Sequence, residues 1–302
     1  MPCFNHARYV EESIFSVLNS TEDDLELIVV DDASTDDSRS VIERAQAKDR
    51  RVKAIFHETN KGASEARNSA LKIATGEYVA FCDADDLWET IKLENQVALL
   101  DRFPHAGIAY GDAEIINDLG AKTGETFSKR FPVPGNGCGD LFATLCLRNF
   151  INIQSALVRR EFITPENYFD PKLKLVEDWW FWLKLARVTS FIYDPAPLSY
   201  YRINSSTLAS KNLASNRLTV YERTLSFFPD VTSGNPKKWQ SILSGKLGSI
   251  LPMRSEILYH MGVAFTQCGK PKDARNSFAK ALKFNPIHWK AAVRFMLCTV
   301  RS

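Results

Sequence analysis

The sequence has no excess of charge of either sign. Its 38 Lys and Arg residues nearly balance 36 Asp and Glu, leaving a net charge of +2. No overall basic field exists to hold nucleic acid. It has no Cys-x-x-Cys pair. The six cysteines, at 3, 82, 138, 146, 268 and 298, are too scattered for a zinc ribbon or a thioredoxin-type site. They read as reduced structural thiols of a cytosolic protein. No apolar run reaches the roughly 18 residues of a membrane-spanning helix. The opening residues, Met-Pro-Cys-Phe-Asn-His-Ala-Arg, lack the apolar core of a signal peptide. Compositional bias is absent too: 45% hydrophobic, 25% charged and 11% aromatic residues exclude disordered and fibrous classes. At roughly 150 residues per domain, 302 residues suggest two domains, or one large α/β domain with an appendage.

What is present is an alternation of helix and strand. Val10, Ile14, Val17 and Leu18 have helical spacing, and Leu25 to Val30 is a short apolar run suited to a buried strand. That run enters Asp31-Asp32-Ala33-Ser34-Thr35-Asp36, a polar turn rich in N-cap residues, followed by a helix over 37–48. Val52 to Phe56 reads as a strand. Residues 62–75 read as a helix closed by Gly76 as C-cap, and Tyr78 to Cys82 as a third strand ending at Asp83-Ala84-Asp85-Asp86. The alternation through residue 111 predicts a parallel α/β sheet, whose ligands bind at the carboxyl ends of the strands. Both acidic clusters fall there. Residues 117–140 read as a loop, a second α/β segment covers 141–208, and the chain from 212 onward reads as helical.

Carboxylates crowded at strand ends need a cation or hydrogen-bond donors. Asp83-Ala84-Asp85 would suit a hard divalent metal; the simpler reading is that these aspartates only cap the next helix. Asp32 at one strand end, Asp83 and Asp85 at another and Arg67 between them could together hold a nucleotide.

The order and spacing of several segments resemble family 2 glycosyltransferases. They are Pro2-Cys3-Phe4-Asn5 with Tyr9-Val10-Glu11-Glu12-Ser13-Ile14, Val29-Val30-Asp31-Asp32-Ala33-Ser34-Thr35-Asp36, Asn60-Lys61-Gly62-Ala63-Ser64-Glu65-Ala66-Arg67-Asn68, and Gly76 through Trp88. Glu177-Asp178-Trp179-Trp180-Phe181-Trp182 and Pro197-Leu198-Ser199-Tyr200-Tyr201-Arg202 extend the resemblance to about residue 210. It implies a GT-A (Rossmann-like) fold over 1–210. It also implies inverting transfer of a sugar from a nucleotide-diphosphate donor, commonly a UDP-sugar, with Mn²⁺ or Mg²⁺. Pro2, Phe4, Asp32, Arg67 and Asp83 would form the nucleotide pocket, with Phe4 against the base and Asp32 accepting a base N–H. Asp85 and Asp83 would hold the metal. Asp178 would be the general base, with Glu177 beside it as alternative. One such base and one cation at the leaving diphosphate are what a single in-line displacement needs.

Two departures stand out. The family's first apolar strand is missing before Pro2, which predicts a true start upstream of Met1 or a truncated chain. Asn204 stands where many members carry a metal-binding histidine. Both favour a catalytically impaired scaffold; the intact acidic sites argue against it, and the nucleotide-type constellation argues against a hydrolase with paired carboxylates. The tryptophans at 179, 180 and 182 cannot share one helical face, so most are expected in the core.

The tail, 211–302, carries Leu258, Gly262, Phe265, Gly269, Ala274, Phe278, Ala281 and Pro286 at tetratricopeptide spacing, one unit over about 255–288. A lone unit is expected to dock on the catalytic domain or on a partner. Residues 289–300 continue as a helix with Lys290 and Arg294, to cap the repeat or touch an anionic membrane surface. The expected partners are thus a nucleotide-sugar donor, a glycan or lipid-linked acceptor in surface polysaccharide or lipopolysaccharide synthesis, and a protein or membrane met by the tail. The expected location is the cytoplasm, with peripheral contact at the inner membrane.

Overall fold

A computed structural model describes residues 1–173, 175–203, 213–226 and 247–300. They form two compact units. The first holds Met1–Leu145 and resumes at Asn149; the second holds Cys146–Arg148 and the C-terminal helices.

In the first unit, strands β1 (Pro2–Cys3), β2 (Leu27–Asp31) and β3 (Val52–Phe56) form a parallel sheet in the order β1-β2-β3. Helices α1 (Val10–Leu18) and α2 (Ser38–Lys48) connect them, and α3 (Ala63–Ile73) follows. Apolar residues spaced along α1 put Val10, Ile14, Val17 and Leu18 into one core with Leu27, Val29, Val41 and Ile42. Strand β1 spans two residues. The Met1 amine donates to the Ile28 carbonyl at 2.8 Å and Val30 N–H donates to the Met1 carbonyl at 2.8 Å. A cleft of about 660 Å³ lies beside Met1, Leu27, Ile28 and Tyr78–Cys82.

A second sheet runs β4-β8-β6-β9-β5, with β7 paired to β6. Its strands are β4 (Tyr78–Ala80), β5 (Leu87–Trp88), β6 (Ala106–Ile116), β7 (Lys122–Thr126), β8 (Ala156–Arg159) and β9 (Ser190–Arg202). This sheet is mixed rather than parallel. Only β6 and β9 run parallel; β8 lies antiparallel to both β4 and β6. Helices α4 (Lys92–Arg102), α5 (Phe127–Arg130), α6 (Phe142–Leu145) and α7 (Glu177–Leu185) complete the unit.

Two local expectations are corrected. Gly76 does not cap α3: the helix ends at Ile73, and Ala74, two residues before Gly76, is its C-cap and turns to extended backbone (ψ 131°). The segment 117–140 is not all loop, because β7 pairs antiparallel with the long β6, Glu114 opposite Thr126. An edge strand of polar residues such as Lys122-Thr-Gly-Glu-Thr126 carries no apolar pattern to reveal it.

The second unit contains α8 (Leu213–Ser226), α9 (Leu247–Gln267), α10 (Pro271–Phe284) and α11 (Trp289–Val300). Helices α9 and α10 form a hairpin whose closest approach explains its small residues. A Cβ on Gly262 would lie 2.4 Å from the Phe278 ring, so only glycine fits. Ser255 Oγ donates to the Ala281 carbonyl at 2.9 Å, and Ala274, Phe278 and Ala281 are wholly buried. Gly269 sits in the turn at φ +69°, where glycine carries no steric penalty.

Candidate active site

The turns after β1 and β2 are stitched to one another. Asn5 N–H donates to Ser34 Oγ (3.0 Å), Asn5 Oδ1 accepts from Thr35 N–H (2.8 Å), and Ser38 Oγ and Asp36 accept from the His6 and Ala7 amides. Asn5 (φ +57°) and Ala33 (φ +62°) are the non-glycine residues held in the left-handed region among the described residues. Such conformations persist where the surroundings over-determine them, typically at a ligand site. Phe4, on the first of these turns, is exposed; Pro2 is paired in β1 opposite Val30.

Asp32 lies one residue beyond β2 and is buried. Its carboxylate accepts from the Lys61 and Gly62 amides, at 2.9 and 2.7 Å, and faces His57 Nδ1 at 2.7 Å. His57 Nε2 in turn meets Ser69 Oγ at 3.0 Å. Arg67 does not contact Asp32. Its buried guanidinium bridges Asp83 (2.7 Å) and Glu177 (2.8 Å), and its Nε is buried with no hydrogen-bond partner among the described residues. The residue thereby ties the strand-end cluster to the start of α7, 110 positions away in sequence.

The turn after β4 crowds Asp83, Asp85 and Asp86. Burial, opposed by His6 and aided by Asp83, raises the Asp85 carboxyl above the usual range. Burial and then its neighbours Asp85 and Asp83 raise Asp86 well above it. Arg202, at the end of β9, holds this turn. Its Nε donates to the Asp85 carbonyl and its backbone N–H to Asp86 Oδ1, both at 2.7 Å. Among the described residues no three His, Cys, Asp or Glu side chains converge as a metal cage. Asp83 and Asp85 offer carboxylate oxygens, the donor type that a hard divalent cation takes while keeping most of its shell for waters or phosphate. Asn204 lies outside the described residues.

Glu177 and Asp178 open α7, but the tertiary structure separates their chemistry. Glu177 is engaged by the Arg67 guanidinium. Asp178 is half-buried and accepts from Asn149 Nδ2 at 2.9 Å and from the Trp179 amide at 2.6 Å. Burial, reinforced by the negative Glu177, pushes its carboxyl up to about 7. A carboxylate near neutrality is suited to accept a proton from a hydroxyl. The aromatics that follow are mainly core. Trp179, Phe181 and Trp182 are buried, the Trp179 Nε1–H donates to the Leu145 carbonyl, and Phe181 stacks on Phe169 with centroids 4.2 Å apart. Trp180 alone of the three tryptophans is half-buried.

Three residues of this network were not singled out for it in the sequence: His57 behind Asp32, Asn149 on Asp178, and Arg202 beneath the acidic turn. Only Arg202 carried a signal, through its place in the Tyr200-Tyr201-Arg202 segment.

A glycosyltransferase of Haemophilus influenzae of uncharacterised specificity is 33% identical over 221 residues, 71% of this chain and 82% of that protein. The chain belongs to glycosyl transferase family 2. The family's model matches residues 1–134. A second family member, the Escherichia coli UDP-Glc:alpha-D-GlcNAc-diphosphoundecaprenol beta-1,3-glucosyltransferase WfgD, is 32% identical over 219 residues, 70% of this chain and 78% of that protein. The crystal structure of S. aureus TarS 1–349 in complex with UDP-GlcNAc superposes with a TM-score of 0.60 at 20% identity, covering 98% of this chain and 88% of that one. The fold is thus that of the GT-A glycosyltransferases, and the chain is a glycosyltransferase. The family match ends before Glu177 and Asp178.

Proposed function

We propose that this glycosyltransferase moves a sugar from a UDP-sugar donor to a glycan or lipid-linked acceptor, with inversion at the anomeric carbon. The observation that carries the reading is the Arg67 bridge. It joins Asp83, on the turn suited to a nucleotide diphosphate, to the helix that presents Asp178. The WfgD name, which includes a UDP-sugar donor and a diphosphoundecaprenol acceptor, supports the substrate classes.

In this reading Asp178 takes the proton from the acceptor hydroxyl as its oxygen bonds to the anomeric carbon. The bond from that carbon to the diphosphate oxygen breaks, and its electron pair leaves with UDP. Asn149 holds the Asp178 carboxylate in place. Asp83 and Asp85 would hold Mn²⁺ or Mg²⁺, which supplies positive charge to the leaving diphosphate when bound. Arg67 orients Asp83 and keeps Glu177 engaged, so that Asp178 alone is available as base. Phe4 and Asp32 border the base pocket, with His57 and the 61–62 amides fixing Asp32. The transferase domain is assigned to about 1–210 and the tail to 211–302, where the hairpin over 255–288 is read as one tetratricopeptide-like unit. The site is placed on the cytoplasmic side, where nucleotide sugars are supplied.

Asp85→Ala and Asp178→Asn test this. Both are expected to lose transfer from UDP-sugars, while UDP binding, measured by calorimetry with Mn²⁺, weakens in Asp85→Ala and persists in Asp178→Asn. Full transfer by either variant, or no heat of UDP binding to the unaltered protein, would overturn the reading.

A further inference from the structure

We infer that the C-terminal helical unit docks on an anionic lipid bilayer through the outward face of α11. On this helix Ala291 is wholly buried, while Val293, Met296 and Leu297 are 48%, 63% and 54% exposed on the opposite side. Ile287, in the turn before it, is 87% exposed. At 100° per residue, Val293, Met296 and Leu297 fall in one stripe, and Lys290 and Arg294, both exposed, border it. An apolar stripe with cations along its edge is the pattern of a helix lying in a membrane interface rather than crossing it. No helix among the described residues is long and apolar enough to cross.

The charge of the surrounding surface selects the occupant. From residue 274 to 302 the sequence has no Asp or Glu, but it has Lys or Arg at 275, 280, 283, 290, 294 and 301. Lys272, Arg275, Lys280 and Lys283 on α10 are exposed beside α11. A second copy of this chain would bring the same positive surface to the contact, and like charges oppose it. An anionic bilayer matches both features, since it takes the apolar stripe among its acyl chains and the cations among its headgroups. The inference is independent of the transfer chemistry and rests on the second unit alone.

The test is flotation of the full chain with vesicles of phosphatidylcholine, alone or with one-third phosphatidylglycerol. Binding is expected to the anionic vesicles at low salt and to be lost in high salt, with little on neutral vesicles. Lys290→Glu with Arg294→Glu should weaken partitioning at least about twenty-fold, since each cation near the surface contributes about fivefold. Val293→Glu with Leu297→Glu should weaken it by a similar factor. These sites are exposed, so helicity by circular dichroism and UDP binding should not change. Equal partitioning to neutral and anionic vesicles, unchanged binding by either double variant, or loss of a self-associated species in place of vesicle binding would overturn the inference.

Discussion

The two ends of the molecule handle charge in opposite ways. The strand-end site of the first unit draws charged groups into the interior: Asp32, Asp86, Arg67 and Arg202 are all buried, each with named partners. In the C-terminal unit Lys270, Lys272, Arg275, Lys280, Lys283, Lys290 and Arg294 are exposed, and Gly262, Ala274, Phe278 and Ala281 pack the interior. Buried charge is costly unless hydrogen bonds and opposite charges compensate, so it persists where function needs it. Packing of small against aromatic residues needs no such network and tolerates change wherever the Cβ has room. One unit is therefore expected to lose activity when a single partner is removed, the other to lose only stability when volume is added.

The sharpest break of this contrast is at Asp178. Asp178→Asn removes the proposed proton acceptor while keeping the Asn149 contact, and kcat should fall about a thousandfold with UDP binding retained. In the unaltered enzyme, kcat/KM should rise with pH and level off above about 7, because the carboxyl must lose its proton to act. A flat profile from pH 5 to 8 would contradict the assignment.

Next in size is Arg67→Met. It leaves Asp83 and Glu177 without their shared cation, and breaking such a buried network costs about 3–5 kcal/mol. Thermal unfolding of the first unit should shift down accordingly. An unchanged midpoint would mean the bridge is incidental. Smaller is Gly262→Ala in the second unit. Its Cβ would meet the Phe278 ring at 2.4 Å, which should cost about 1–3 kcal/mol of that unit's stability while leaving UDP binding intact.

The smallest effect is at Lys92, a charged residue with no evident role in the site. It is wholly buried on α4, donates to Gln96 Oε1 at 2.7 Å and lies 4.2 Å from the Trp88 ring centroid. Burial lowers its amine to about 7 from a usual 10.5. Between those values the unfolded chain binds the extra proton, so this residue makes stability climb as pH rises from about 7 to 10.5. Lys92→Met should leave stability at neutral pH unchanged or slightly higher and should flatten that slope, as read from denaturant midpoints across the range. An unaltered slope would show that the amine is charged in the folded state.

Much of the fold was legible because its determinants are local. The strand at Val52–Phe56 coincides with its expected limits, and α2 and α3 fall within about two residues of theirs, since each carries its own apolar period and polar turn. The polar strand β7 and the antiparallel β8 were not legible. Pairing direction depends on which edge a strand meets, and nothing in Ala156–Arg159 records that.

By itself the sequence determined the positions of the acidic turns. Asp32 and Asp83–Asp86 follow strands whose apolar runs end just before them, and short-range hydrogen bonding does the rest. It also determined the small-residue face of the C-terminal hairpin. Tertiary structure decided the division of labour among the carboxylates. Glu177 and Asp178 are adjacent and chemically alike in sequence. Arg67, arriving from α3, pairs with the first, while burial and the Glu177 charge, opposed by the Asn149 hydrogen bond, set the second near neutrality. A carboxyl's proton affinity depends on the charges and solvent around it, and those come from residues distant in the chain.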